Sequence, residues 1–203
     1  MHDWDQDSST LKRNLTEAYK RSRNQALHRE APSVELAREW HVTTMSELNV
    51  PDQKYVGRFR GETGLVGCEV RIGGSNGVLS TLVVQELQVF EEKLCKSMSV
   101  LDELIPKGDT PNSADQLNAV IELAAWVHAE WVRIHPFANG NGRTARIWTA
   151  FIAMRYGLPP FVRLRPRPDG GYAAACAKAM EGDWDATAQV FRRMYLDALA
   201  RKQ

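Results

Sequence analysis

With 203 residues, and 26 Lys and Arg against 25 Asp and Glu, the chain is long enough for one well-buried core, short for two, and almost neutral. Near-neutrality removes the field of a general nucleic-acid binder, and no apolar run approaches the roughly 20 residues of a membrane span, so neither partner is expected. The acidic start, Met1 to Asp5, lacks the basic and apolar regions of a signal peptide. Cys68, Cys95 and Cys176 lack CxxC spacing and fit small buried residues in a reducing compartment better than a disulfide frame or a zinc site. A cytoplasmic protein is the default expectation, although a secreted effector without a cleaved signal would look the same.

Leu11, Leu15 and Tyr19 recur at four-residue spacing behind the caps Ser8 and Ser9, which predicts a helix over 9–27. Pro32-Ser33 opens a second helix with Leu36, Trp40, Thr44 and Leu48 on one face, ended by Asn49 and Pro51. The period then changes. Gly57 to Arg60, a turn at Gly61 to Gly64, and Cys68 to Ile72 read as a β-hairpin that Gly73 to Gly77 closes. A long helix follows over roughly 79–104, then a Pro/Gly loop from Ile105 to Asn112. Ser113 with Gln116 has the capping-box pattern and starts a helix that ends near Ile134. Another helix, about 143–156, stops at Gly157 with Pro159 and Pro160 behind it; two more, near 172–181 and 184–200, are split by Gly182.

The chemistry concentrates in His135-Pro136-Phe137-Ala138-Asn139-Gly140-Asn141-Gly142-Arg143-Thr144-Ala145-Arg146. An imidazole titrating near neutrality can take a hydroxyl proton at cellular pH. Glycines tolerate positive φ, so Asn139 to Gly142 can curl with backbone N–H groups pointing inward, and a helix starting there adds its own free N–H groups. Arg143 and Arg146, three residues apart, share a helix face and can grip further phosphate oxygens. Taken singly, His135 reads as a loop histidine and the glycine pair as a plain turn; together they make a base beside an anion nest. Phe137 is the apolar anchor of the loop. His128 faces the apolar stripe of its helix and reads as a core histidine, and Arg165 and Arg167 as a surface loop. No Ser-His-Asp set, Walker loop or paired glycosidase acids can be argued.

These residues resemble the Fic family signature: His, any, Phe, any, Asp or Glu, Gly-Asn-Gly-Arg, any two, Arg. Seven of the eight specified positions match: His135, Phe137, Gly140, Asn141, Gly142, Arg143 and Arg146. A given residue type falls at a given position roughly once in twenty by chance, so seven matches in register are a specific signal. Asn139 departs, standing where the family has an acid. Val70 to Gly74 looks like the end of the family's flap hairpin, and Ala175 to Leu196 like its closing helix pair. The resemblance implies an all-α domain with a small β-hairpin over the active-site loop. The chain then divides into a helical extension, 1–32, and a Fic-like catalytic domain, 33–203.

The reaction the resemblance implies is transfer of a nucleotidyl group, most often AMP from ATP, to a hydroxyl side chain of a target protein. His135 would be the base. Gly140, Asn141 and Gly142 would bind phosphates through backbone N–H groups and the Asn141 amide, and Arg143 and Arg146 would hold the β- and γ-phosphates. Flap residues Arg58, Phe59, Arg60, Val70, Arg71 and Ile72 would align the target; without the resemblance, Arg58, Arg60 and Arg71 read as a solvated face. In the family the acid holds a Mg²⁺ that bridges the phosphates; Asn139 brings an amide oxygen without charge, so weakly held Mg²⁺ is expected. The alternatives are a nucleotide- or protein-binding module with weakened catalysis and an enzyme using another phosphate-containing donor. Gly142 speaks against the phosphorylating relative, which carries lysine there. The family's inhibitory Ser/Thr-x-x-x-Glu-Gly/Asn motif has no good match; Glu47 and Glu181 come nearest, and a separate, antitoxin-like inhibitory protein is the implied alternative.

Overall fold

The computed structural model describes residues 4, 8–72 and 74–201. Apart from Trp4, the acidic start lies outside the described residues, as do Gly73 and residues 202–203.

Helix α1, Ser9–His28, is capped by the Ser8 hydroxyl, which accepts from the Leu11 N–H at 3.1 Å. It ends with Arg29 in the left-handed region (φ 57°), whose N–H returns to the Ala26 carbonyl. Helix α2, Val34–Met45, is shorter than the apolar pattern predicts. Asn14 of α1 donates its amide to the Thr44 and Ser46 carbonyls, so the last turn of α2 is satisfied from outside, and Glu47 at φ 59° turns the chain before Leu48.

The strands expected over 57–60 and 68–72 do not pair with each other. The first segment is buried and irregular: Gly61 has φ 88°, and a Cβ there would come within 2.1 Å of the Ser80 carbonyl oxygen. Its alternating pattern reflects burial by other elements, not a ladder. The hairpin lies further on, where β1, Arg71–Ile72, pairs antiparallel with β2, Ser75–Asn76, in the register Arg71 to Asn76 and Ile72 to Ser75. Residues expected to close the hairpin thus form its second strand.

Helix α3, Ser80–Leu104, begins on the Glu69 carboxylate, which accepts from the Ser80 N–H at 3.0 Å and the Ser80 hydroxyl at 2.6 Å. Helix α4, Ala114–Ile134, is capped by Ser113, but the Gln116 side chain returns to the Asn112 N–H, one residue before a capping box would place it. Helices α5, Asn141–Arg155, α6, Tyr172–Met180, and α7, Asp185–Ala200, complete the all-α architecture.

Helix α5 is the axis of the fold. It packs against α1, α2 and α4, while α3, α6 and α7 pack on α4. Apart from Gly142, every α5 residue is buried, so it shows no amphipathic stripe. Trp148 meets Trp40 edge-on at 4.7 Å and Trp131 at 6.0 Å, which fixes α5 between α2 and α4. At its far end Asp102 of α3 binds Arg155 at 2.5 Å, Arg29 at 2.7 Å and the Tyr156 hydroxyl at 2.9 Å. The middle and the C-terminal end of α5 are thereby held against α2, α4 and α3, and the signature turn lies at its other end. No described helix is long and apolar enough to cross a membrane.

Candidate active site

The turn between α4 and α5 builds the site. His135 caps α4 in the left-handed region, at φ 53° and ψ 56°, with its N–H on the Trp131 carbonyl at 3.0 Å. Its Nδ1 lies 3.0 Å from the Val132 carbonyl oxygen. A carbonyl only accepts, so Nδ1 carries the proton and Nε2 keeps its lone pair. Burial pushes the imidazole down from 6.5 to about 4, which leaves it neutral and able to accept a proton at cellular pH.

Phe137 and Asn141 close the turn. Phe137 is fully buried; it stacks on His41 at 3.8 Å and lies 4.9 Å from Phe59. The Asn141 carboxamide makes two bonds to the Phe137 backbone, accepting from its N–H at 2.9 Å and donating to its carbonyl at 2.8 Å. One amide N–H and the amide oxygen are thus committed to the turn, while the second amide N–H and the Asn141 backbone N–H make none of these bonds.

Gly140 is the N-cap of α5 at φ 81°, so Asn141 and Gly142 present their N–H groups at the helix start, where no intrahelical acceptor exists. Helix α5 starts two residues earlier than the pattern predicts because this glycine supplies the cap. A Cβ on Gly142 would lie 3.3 Å from an Arg146 Nη1, so Arg146 folds back over the start of its own helix. Its Nε donates to the Leu164 carbonyl at 3.0 Å and its Nη1 to the Tyr172 hydroxyl at 3.4 Å. Tyr172 in turn lies 2.7 Å from the Nε2 of His128, so the core histidine is the far support of Arg146. Arg143 reaches Asn139 Oδ1 at 3.2 Å. The nest thus has helix N–H groups below and two guanidinium groups at its side. The loop bearing Arg165 and Arg167 lies on the surface as expected, with Arg165 half-buried and the exposed Arg167 5.7 Å from the centre of the Tyr172 ring.

A family model described as the Fic/DOC family matches residues 31–153. The chain belongs to the Fic/DOC family. Over 64 residues it is 47% identical to the protein adenylyltransferase Fic of Nematostella vectensis, which covers 31% of this chain and 14% of that protein. Over 42 residues it is 52% identical to protein adenylyltransferase fic-1 of Caenorhabditis elegans, covering 21% of this chain and 8% of the relative. The chain therefore spans a small part of the curated relatives it matches. Among solved structures it resembles the BepC protein of Bartonella tribocorum with bound AMPPNP, at TM-score 0.62 and 18% identity over 93% of this chain and 87% of that one. A Fic domain containing signaling protein from Bacteroides thetaiotaomicron gives 0.61 and 18% over 95% and 67%. At such identities the shared property is the fold.

In the Fic fold found here the six residues expected to form the flap have different places. Arg71 and Ile72 are exposed on β1, with Val70 half-buried beside them. Arg58 donates to the Thr63 carbonyl at 2.6 Å, and Phe59 is buried under the cation of Arg38 at 4.1 Å. Arg60 is no solvated face. It is fully buried and donates to the carbonyls of His135 at 2.7 Å, Val78 at 2.8 Å, Ile134 at 2.9 Å and Cys68 at 3.2 Å. Arg60 holds the His135 carbonyl and Phe59 packs on Phe137, and both are buried rather than presented on the surface. Gly77 at the root of the hairpin packs so closely that a Cβ would lie 3.0 Å from the His135 Cβ. The root of the hairpin is thus packed directly against His135.

The residues present do not fit a resident Mg²⁺. Asn139 Oδ1 accepts from the Gly140 N–H and from Arg143, and a guanidinium at 3.2 Å opposes a dication on that oxygen. Among the described residues no group of three His, Cys, Asp or Glu could hold a metal ion. An oxygen that takes one backbone N–H and one guanidinium stands where a phosphate oxygen would be welcome. Asn139→Asp adds the missing charge, and half-saturating Mg²⁺ for any phosphoryl-donor chemistry is expected to fall about tenfold, on the order of 1.4 kcal/mol. Titration of both proteins checks this, and an unchanged Mg²⁺ dependence would show that the position does not ligate metal.

Proposed function

We infer that this chain is a protein nucleotidyltransferase of the Fic type, moving AMP or another nucleoside monophosphate from a nucleoside triphosphate to a Ser, Thr or Tyr hydroxyl of a target protein. The observation that supports this reading is the neutral His135, with its Nε2 lone pair available, at the start of the turn that leads into α5, whose first residues include Arg143 and Arg146. The hydroxyl proton passes to Nε2 as the oxygen attacks the α-phosphorus. The new P–O bond forms while the bond from that phosphorus to the bridging oxygen breaks, and pyrophosphate departs. Asn141 and Gly142 N–H groups bind phosphate oxygens, and the two arginines offset charge on the leaving pyrophosphate. Arg71 and Ile72 on the exposed strand offer an edge along which an extended target segment can lie.

A second reading, a nucleotide-binding module without transfer, is favoured by one observation: Asn139 engages Arg143 instead of supplying a metal-binding charge. Incubation with lysate and each nucleoside triphosphate, labelled at either the α- or the γ-phosphate, separates the two. Nucleotidyl transfer places α-label on a protein and leaves γ-label in pyrophosphate. Protein carrying γ-label would overturn the assignment, and nucleotide binding without any protein label would favour the module.

Control by a separate inhibitory protein belongs to the same proposal. Glu47 pairs with Arg13 at 2.7 Å on the surface, and Glu181 is exposed beyond α6. Glu47→Gly and Glu181→Gly are therefore expected to leave transfer within about twofold of the parent. A glutamate masking Arg146 through a charge-assisted contact of about 1.5–3 kcal/mol would instead release one or more decades of rate on removal. A rise of that size, at matched folding, would place the inhibitor inside this chain.

A further inference from the structure

His41 of α2 lies outside the signature and has 1% of its surface exposed. Its Nδ1 accepts from the Gly57 N–H at 3.0 Å, and its Nε2 lies 3.1 Å from the Asn139 carbonyl oxygen. An N–H only donates and a carbonyl only accepts, so both contacts are satisfied by one species alone, the neutral ring with its proton on Nε2. The ring face stacks on Phe137 at 3.8 Å and 17°. Its edge fills the space beside Gly140, where a Cβ would come within 3.2 Å of Cδ2 and Nε2. One side chain thus joins α2, the segment leading to the hairpin, and the signature turn.

We propose that His41 is a positioning residue for the phosphate cradle: by holding the Asn139 carbonyl it sets the direction of the Gly140 N–H. The peptide joining Asn139 and Gly140 is planar and trans, so its C=O and N–H point in opposite directions. With the oxygen drawn to His41, the N–H faces away from α2, toward the place where Asn139 Oδ1 and Arg143 meet. That oxygen is the group a bound phosphate would displace. Without the His41 bond the peptide can rotate, helped by a glycine at φ 81°, and the first donor of the cradle is lost. Burial acts in the same direction, holding the imidazole far below its usual range and hence uncharged.

The two hydrogen bonds can be tested separately, because glutamine and asparagine each imitate one ring nitrogen. His41→Gln places an amide N–H near the Nε2 position and can still donate to Asn139. His41→Asn places an oxygen near Nδ1, can accept from Gly57, and is too short to reach the turn. His41→Phe keeps the stack and makes neither bond. This proposal rests on the nucleotide-transfer reading, so two measurements are made: affinity for a non-hydrolysable ATP analogue, and amide hydrogen exchange over residues 137–144 without nucleotide. His41→Gln is expected within about threefold of the parent affinity, with His41→Asn and His41→Phe at least tenfold weaker and faster to exchange in the turn. Parental affinity and exchange in His41→Asn would overturn the proposal. So would equal loss in His41→Gln and His41→Asn, which would reduce His41 to packing. A parent protein that binds no triphosphate would count against nucleotide transfer, while the exchange data would still decide on His41.

Discussion

His135→Ala is expected to abolish detectable protein labelling, a loss of at least 10²–10⁴-fold, the usual contribution of a positioned general base. The residue is held at three points: its N–H on Trp131, its carbonyl on Arg60, and its ring Nδ1 on Val132. Each contact aims Nε2, and none belongs to the nest of Asn141, Gly142, Arg143 and Arg146. Nucleotide affinity in the variant is therefore expected within a few-fold of the parent, and the loss should appear in kcat. Because burial holds the ring near pH 4, the rate should not fall through protonation of this group until the pH approaches that value. Undiminished labelling in His135→Ala would remove the residue from the mechanism, and a rate that halves near pH 6.5 would show that the imidazole titrates freely.

The same burial has a consequence for stability. His41 and His128 are each pushed down from 6.5 to about 3 and His135 to about 4, in every case chiefly by desolvation. The unfolded chain takes up protons near pH 6.5 that the folded chain refuses. Stability is thus fully present above that pH and is lost as pH falls toward 4 and then 3.

Helix starts were legible wherever the cap is a local residue, as at Ser8 and Ser113, and the end of α5 was legible at Gly157. The end of α2 was not, because Asn14 of another helix takes its last carbonyls, a contact without trace in the spacing of residues 34–48. The segment 57–72 alternates between apolar and polar as a strand does, yet its pattern reports burial beneath α2 and α3 and the path of one buried arginine. Within the candidate site, His135, the Gly140 to Gly142 turn and the two arginines could be picked out together because they lie within twelve consecutive residues. The supports could not. His41, Arg60 and Tyr172 come from distant parts of the chain, and each acts on the signature through a backbone carbonyl or another side chain. Even the Asn141 amide could not be placed, since a turn-closing and a phosphate-binding carboxamide look identical in one dimension.

Arg60→Met is expected to destabilise the fold by about 3–5 kcal/mol and to reduce transfer further at temperatures where the variant remains folded. Methionine nearly matches the arginine in length and fills the site, but it offers none of the five N–H donors. The carbonyls of Ile134, His135, Val78 and Cys68 then lose their shared donor, and the first two sit at the negative end of α4, where a cation is most useful. Leaving one buried acceptor unmade costs about 1–3 kcal/mol, and four around one cation do not add independently. The Glu69 pair contributes little, being 3.4 Å away with its carboxylate half exposed. Arg60→Lys keeps the charge but can serve only part of this carbonyl set, so it should fall between the parent and Arg60→Met. Chemical denaturation gives the stability, and nucleotide-dependent labelling at matched folded fraction gives the effect on the base. An Arg60→Met protein within about 1 kcal/mol of the parent would mean that the four carbonyls find other donors and that His135 is not anchored through this residue.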